Sequence, residues 1–91
     1  MNKQVRSQLN GIVSKLDIYK NEIETLKDEV EDIQTDQEDI LNNIPENLQT
    51  SERYDRQSDA VDHLSDALDH LGDVIRSLES AVESTQAAID A

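Results

Sequence analysis

Apolar residues in the first half of the chain fall at alternating intervals of four and three. Val5, Leu9, Ile12, Leu16, Tyr19, Ile23, Leu26, Val30, Ile33, Ile40 and Ile44 keep the spacing without a slip, and Gln37 is its single polar member. The second half repeats it through Tyr54, Val61, Leu64, Leu68, Leu71, Ile75, Leu78, Val82 and Ile89, with Gln57 and Thr85 as polar members. A period of 3.5 residues is the heptad signature of helices that pack along a seam, and it predicts left-handed supercoiling. The pattern predicts one helix over about 3–43, a linker over 44–51 and a second helix over about 52–90. Each is roughly 60 Å long at about 1.5 Å per residue. A short connection makes such helices antiparallel neighbours. The expected fold is therefore all-α: a long antiparallel helical hairpin forming a single domain over residues 1–91.

Residues equidistant from the turn set the register. Ile40 falls level with Gln57, Ile33 with Leu64, Leu26 with Leu71 and Tyr19 with Leu78. Gln37 then lies about a turn from Gln57. Either the two polar seam residues pair and fix the register, or both point to water near a frayed end.

The rows beside the second seam carry a further signal. With Leu9 and Val61 at heptad position a, Ala60, Ala67, Val74, Ala81 and Ala88 recur at g, and Ser58, Ser65 and Gly72 at e. Small side chains let another helix approach closely, and Gly72 costs roughly 1 kcal/mol of helix propensity against alanine, which suggests a packing reason. The first helix adds apolar Val13 and Leu41 at its own e position. A two-helix hairpin has one internal seam, so the extra surface predicts a homodimer, a four-helix bundle built on the g row of the second helix. The alternative is a monomer whose alanines are only good helix formers.

Charge changes the picture more than composition does. The net charge is -13, and its distribution is uneven. Residues 1–27 carry a net of +2, residues 28–73 carry -13 and residues 74–91 carry -2. The hairpin folds 28–73 into its turn-proximal half. In the second helix Asp55, Asp59, Asp62, Asp66, Asp69 and Asp73 repeat at four-three spacing on one face. In the first helix the cluster is Asp28, Glu29, Glu31, Asp32, Asp36, Glu38 and Asp39. Like charges so close destabilise a helix by a few tenths of a kcal/mol per pair. Most charge runs are solvated faces, but an ordinary face mixes signs and this one largely does not. Thirteen net charges over about 30 Å is roughly one per 2.3 Å, against about 1.7 Å for duplex DNA. Such a surface suits a basic protein partner and extends to DNA mimicry, while direct binding to nucleic acid or to an anionic membrane is disfavoured.

Chemistry-bearing patterns are sparse. The chain has no cysteine, so it offers no disulfide, thiol nucleophile or thiolate site. His63 and His70 are about 10 Å apart along a helix, too far for one metal ion. The two glycines, Gly11 and Gly72, lie within the heptad segments and form no phosphate loop. The expectation is a non-catalytic protein with no cofactor and no metal. The opening MNKQVRSQLNGIV is basic without a signal-peptide core, and no apolar run reaches membrane-spanning length, which predicts a cytoplasmic protein.

The linker holds the only proline. Pro45 constrains Ile44, so the first helix should end near Asn43. Asn43 and Glu46 read as a capping box for a single helical turn, and Thr50 or Ser51 as the cap of the second helix. Ile44, Leu48 and Tyr54 are placed to plug the end of the seam. Exposed Glu46, Asn47, Gln49, Arg53 and Arg56 form a candidate contact tip, with the two arginines neutralising neighbouring acids. The stretch Ile44-Pro45-Glu46-Asn47-Leu48-Gln49-Thr50-Ser51-Glu52 resembles the linker of short proteins from Gram-positive bacteria and their phages, which share an (I/M)PE(N/S)LQxSE pattern followed by an acidic heptad helix. The resemblance covers roughly residues 40–80, and Thr50 stands where those proteins typically carry glycine. It implies a small accessory protein, phage- or prophage-borne, and brings no catalytic residues. The two readings are an interaction module that binds, and can inhibit, a basic nucleic-acid-binding or defence protein of the host, and a structural spacer whose acidity only keeps it soluble.

Overall fold

The computed structural model describes residues 1–91 and forms an antiparallel helical hairpin. Helix α1 spans Lys3–Asn42 and helix α2 spans Glu52–Asp90, joined through a single 3-10 turn at Glu46–Leu48. The Cα extents are 70 × 15 × 14 Å, a rod one helix pair wide. At each start a side chain accepts a free backbone N–H. Asn2 accepts from the Val5 amide at 2.9 Å, and Ser51 accepts from the Tyr54 amide at 3.2 Å. Ser51, not Thr50, is therefore the cap of α2.

The turn departs from one sequence expectation. Asn43 does not cap the 3-10 turn; it closes α1, and its side-chain amide donates to the Asp39 carbonyl at 2.8 Å. Pro45 opens the 3-10 turn with no side-chain cap. The reason is local: the orphan carbonyls at the end of α1 lie within reach of the Asn43 side chain. No residue has positive φ, so the connection forms without a glycine and tolerates Thr50.

Register and facing separate. The three interhelical polar contacts pair residues whose numbers add to 94 for Gln37–Gln57 and to 99 for both Gln34–Ser65 and Lys20–Glu79. These bracket the value of 97 that the heptad alignment gives. The levels are therefore as expected, but the face of α1 is not. Its a row, Leu9 to Ile44, is half-buried throughout, whereas its d residues Ile12, Tyr19, Leu26, Ile33 and Ile40 are 46–53% exposed. In their place the e residues Val13, Lys20, Lys27, Gln34 and Leu41 are half-buried against α2. Relative to an a/d seam, α1 is rolled by roughly 50° about its axis, half of the ~100° step between residues.

The cause of the roll lies in the flanking rows. The e row of α1 contains no acid, while its g row contains Glu22, Glu29 and Asp36. Turning e inward brings lysine toward the acidic second helix and keeps carboxylates away from it. Lys20 sits 3.3 Å from Glu79. Lys27 borders an open hollow with Asp69 and Asp73. Ser58, Ser65 and Gly72 leave room for these longer side chains. Gly72 is not demanded by close packing, because an added Cβ would meet only the Arg76 guanidinium, at 3.8 Å.

The resulting core is thin. Val61 is the only buried residue, at 8% exposure. Gln57 uses its side-chain amide at the same end of the seam, donating to the Gln37 side-chain oxygen and to the Gln37 carbonyl, each at 2.9 Å. The pair is half-buried and hydrogen-bonded, so the two glutamines meet across the seam rather than pointing to water. Thr85 satisfies its hydroxyl on its own helix, at the Ala81 carbonyl.

Candidate functional site

Surface, not cavity, is what this fold offers. The helix pair is too narrow to enclose a pocket, and the hollows along it are open grooves. No group of three or more His, Cys, Asp or Glu side chains is gathered where it could hold a metal ion. His63 and His70 both lie on the exposed side of α2. No helix is long and apolar enough to cross a membrane.

The acidic residues occupy the turn-proximal half, as their numbers require in a hairpin. Asp28, Glu29, Glu31, Asp32, Asp36, Glu38 and Asp39 on α1 are all exposed. So are Asp55, Asp59, Asp62, Asp66, Asp69 and Asp73 on α2. Of these thirteen, only Asp73 has an ion-pair partner, Arg76 three residues on. The α2 aspartates fall at heptad positions b and f, on the side of that helix away from its g row. The other carboxylates in ion pairs are Glu24, Glu52 and Glu79, outside the cluster. The cluster is thus almost wholly uncompensated and hydrated.

At the tip, Glu46, Asn47, Gln49, Arg53 and Arg56 are exposed. Arg56 pairs with Glu52, whereas Arg53 makes no ion pair, so the expected neutralisation of the tip is half realised. Ile44 and Tyr54 are half-buried, and with Leu48, 49% exposed, they line an open hollow of about 430 Å³ at the end of the seam. The apolar plug is a partial cover.

The g row of α2 is divided: Ala67, Ala81 and Ala88 are half-buried, and Ala60 and Val74 face water. Sequence reasoning missed its neighbour. The contacts Gln34–Ser65 and Lys20–Glu79 both join an e residue to an e residue, so the e rows share one flank of the hairpin. The α1 d row lies on the opposite flank, beside the α2 g row. Val5, Ile12, Tyr19, Leu26, Ile33 and Ile40, one per heptad, therefore form an exposed apolar strip. The available signal was the absence of acids in the α1 e row.

No protein-family model matches the chain, and neither curated proteins nor solved structures give a match.

Proposed function

We propose that the protein is a non-catalytic interaction module that presents its acidic, turn-proximal half to a basic protein. The observation that carries this reading is the uncompensated cluster: twelve of its thirteen carboxylates have no ion-pair partner. Carboxylates held in register on a straight helix pair offer a basic groove a dense, ordered row of charge. That arrangement speeds encounter by electrostatic steering and suits imitation of a DNA backbone. The linker resemblance supports a phage or prophage accessory protein acting in the host cytoplasm, where it binds and inhibits a nucleic-acid-binding or defence protein. The module acts as a dimer of hairpins.

Affinity capture from host lysate tests the acidic surface. The wild-type protein is expected to retain a basic protein, and duplex DNA is expected to compete for it. Charge reversal at Asp59, Asp62, Asp66 and Asp69 to lysine is expected to abolish retention, without loss of helicity, because all four are exposed. Retention that survives the reversal, or capture of nothing basic, overturns the reading. The 70 Å rod itself favours the second reading, a spacer, which predicts that a reversed-charge chain still performs its cellular role.

A further inference from the structure

The exposed α1 d row and the α2 g row form one apolar face, and we infer that a second copy of this chain covers it, with the two hairpins stacked face to face and pointing in opposite directions. This deepens the dimeric part of the proposed function; binding of a basic protein by the acidic surface stands or falls separately.

Three observations carry it. The first is need. One buried residue is a meagre core for 91, and the d row leaves five large side chains about half exposed at heptad spacing. The strip runs about 50 Å from Val5 to Ile40 at about 1.5 Å per residue. Together with the α2 g row beside it, on a rod 15 Å wide, the face covers roughly 750 Å², close to the ~800 Å² per partner of a stable interface.

The second is symmetry. A twofold axis that reverses one hairpin on the other lays α1 on α1 and α2 on α2, and it must cross the midpoint of each row. The α1 row is centred between residues 22 and 23, and the α2 row, Ala60 to Ala88, on Val74. Contacts whose numbers add to between 94 and 99 place that α1 midpoint level with a range on α2 that contains Val74. Two rows on different helices thus share a midpoint level, as one axis requires. Large side chains then meet large ones across α1, and small ones meet small ones across α2.

The third is charge. The alternative stack, with both turns at one end, lays one -13 half against the other. The reversed stack lays each against the open end, where residues 1–27 and 74–91 together carry no net charge. It also brings Lys15 opposite Glu29 of the second copy, on the α1 g rows that rim the face. Glu22 meets its own mate at the axis, a like-charge contact on the exposed rim. The α2 aspartates, at b and f, stay outside the interface.

Sedimentation equilibrium and cysteine cross-linking decide it. The wild-type chain is expected to sediment at twice 10.3 kDa at micromolar concentration, and Leu26→Glu to halve that mass. Leu26 is 48% exposed, so its replacement spares the contacts within the hairpin. The chain has no cysteine, so single introductions report without background. Val74→Cys, near the axis, is expected to form a covalent dimer in air. Ala60→Cys and Ala88→Cys are each expected to form no covalent dimer when reduced and reoxidised alone, and to cross-link when mixed. A wild-type mass of 10.3 kDa overturns the inference, as does a dimer unaffected by Leu26→Glu. A dimer in which Val74→Cys stays unlinked overturns the reversed orientation. The cross-linking arm needs no destabilising substitution, so it stands even if Leu26→Glu unfolds.

Discussion

The two helices carry the same four-three spacing and use it differently. Every a and d residue of α2 is buried or half-buried against its neighbour, Tyr54 to Ile89 without exception. On α1 the a row does the same, but the d row faces water and the e row from Val13 to Leu41 has turned in, although three of those five residues are Lys20, Lys27 and Gln34. Spacing determines which residues share a row. It does not determine which two rows a helix presents, because a, d and e all lie within a 100° arc. Electrostatics in the flanking rows selects among them: acids at g on α1, none at e, and an acidic second helix opposite.

The largest expected effect tests that asymmetry at one level of the rod. Leu64, in the α2 d row, and Ile33, in the α1 d row, stand opposite in the register, but Leu64 is half-buried and Ile33 is 53% exposed. Leu64→Ser is expected to lower the unfolding free energy by about 2 kcal/mol at every protein concentration. Ile33→Ser is expected to cost less than about 0.5 kcal/mol in dilute protein, where the hairpin stands alone. Its cost should grow with concentration as association contributes to stability. Urea midpoints at dilute and concentrated protein measure both. Equal losses in dilute protein would mean that α1 is not rolled.

That roll marks the limit of what the sequence discloses. Helix extents, the antiparallel path and the register all follow from periodicity and one proline, since these depend on short-range spacing and chain connectivity. The location of the acidic surface follows too, because a hairpin converts sequence distance from Pro45 into position along the rod. The facing of α1 does not follow. It depends on a balance between apolar burial of the d residues and charge placement at e and g. Asn43 shows the same at smaller scale: both helix ends that it adjoins leave backbone groups free, and only the path through Pro45 decides which one its side chain serves.

The glutamine pair sharpens the comparison from inside the seam. Gln37 belongs to the a row of α1 and Gln57 to the d row of α2, so their contact exists only while those rows face each other. Gln57→Ala removes two hydrogen bonds of 2.9 Å and is expected to cost about 1 kcal/mol, with a smaller coupling energy in a double-mutant cycle with Gln37→Ala, which keeps the Gln37 carbonyl and removes only the side-chain acceptor. Replacing both by leucine is expected to raise stability, because no polar group is then left unpaired. The same change should loosen the register, visible as broadened or doubled amide resonances near the turn. A single sharp set from the leucine pair would mean that the turn alone fixes the register.

The smallest effect bears on the roll itself. Lys20 and Glu79 join the two e rows at 3.3 Å, with side chains 28% and 48% exposed. Such a partly exposed pair is expected to contribute about 0.5 kcal/mol, measured as the coupling between Lys20→Met and Glu79→Gln. The cycle is needed because Lys20 also lies 3.8 Å from Glu24, and the single lysine change removes both contacts. Added salt should shrink the coupling, since at about 1 M salt the screening length falls to about 3 Å. A coupling that vanishes in salt while α1 keeps its facing would mean that neither charge contribution sets the roll, because salt screens the exposed acids at g as well as the lysine at e. If the charges do set it, the complementary change, Glu29 and Asp36 to lysine, is expected to favour the opposite roll, turning g toward the net-negative second helix and returning the d row to the seam.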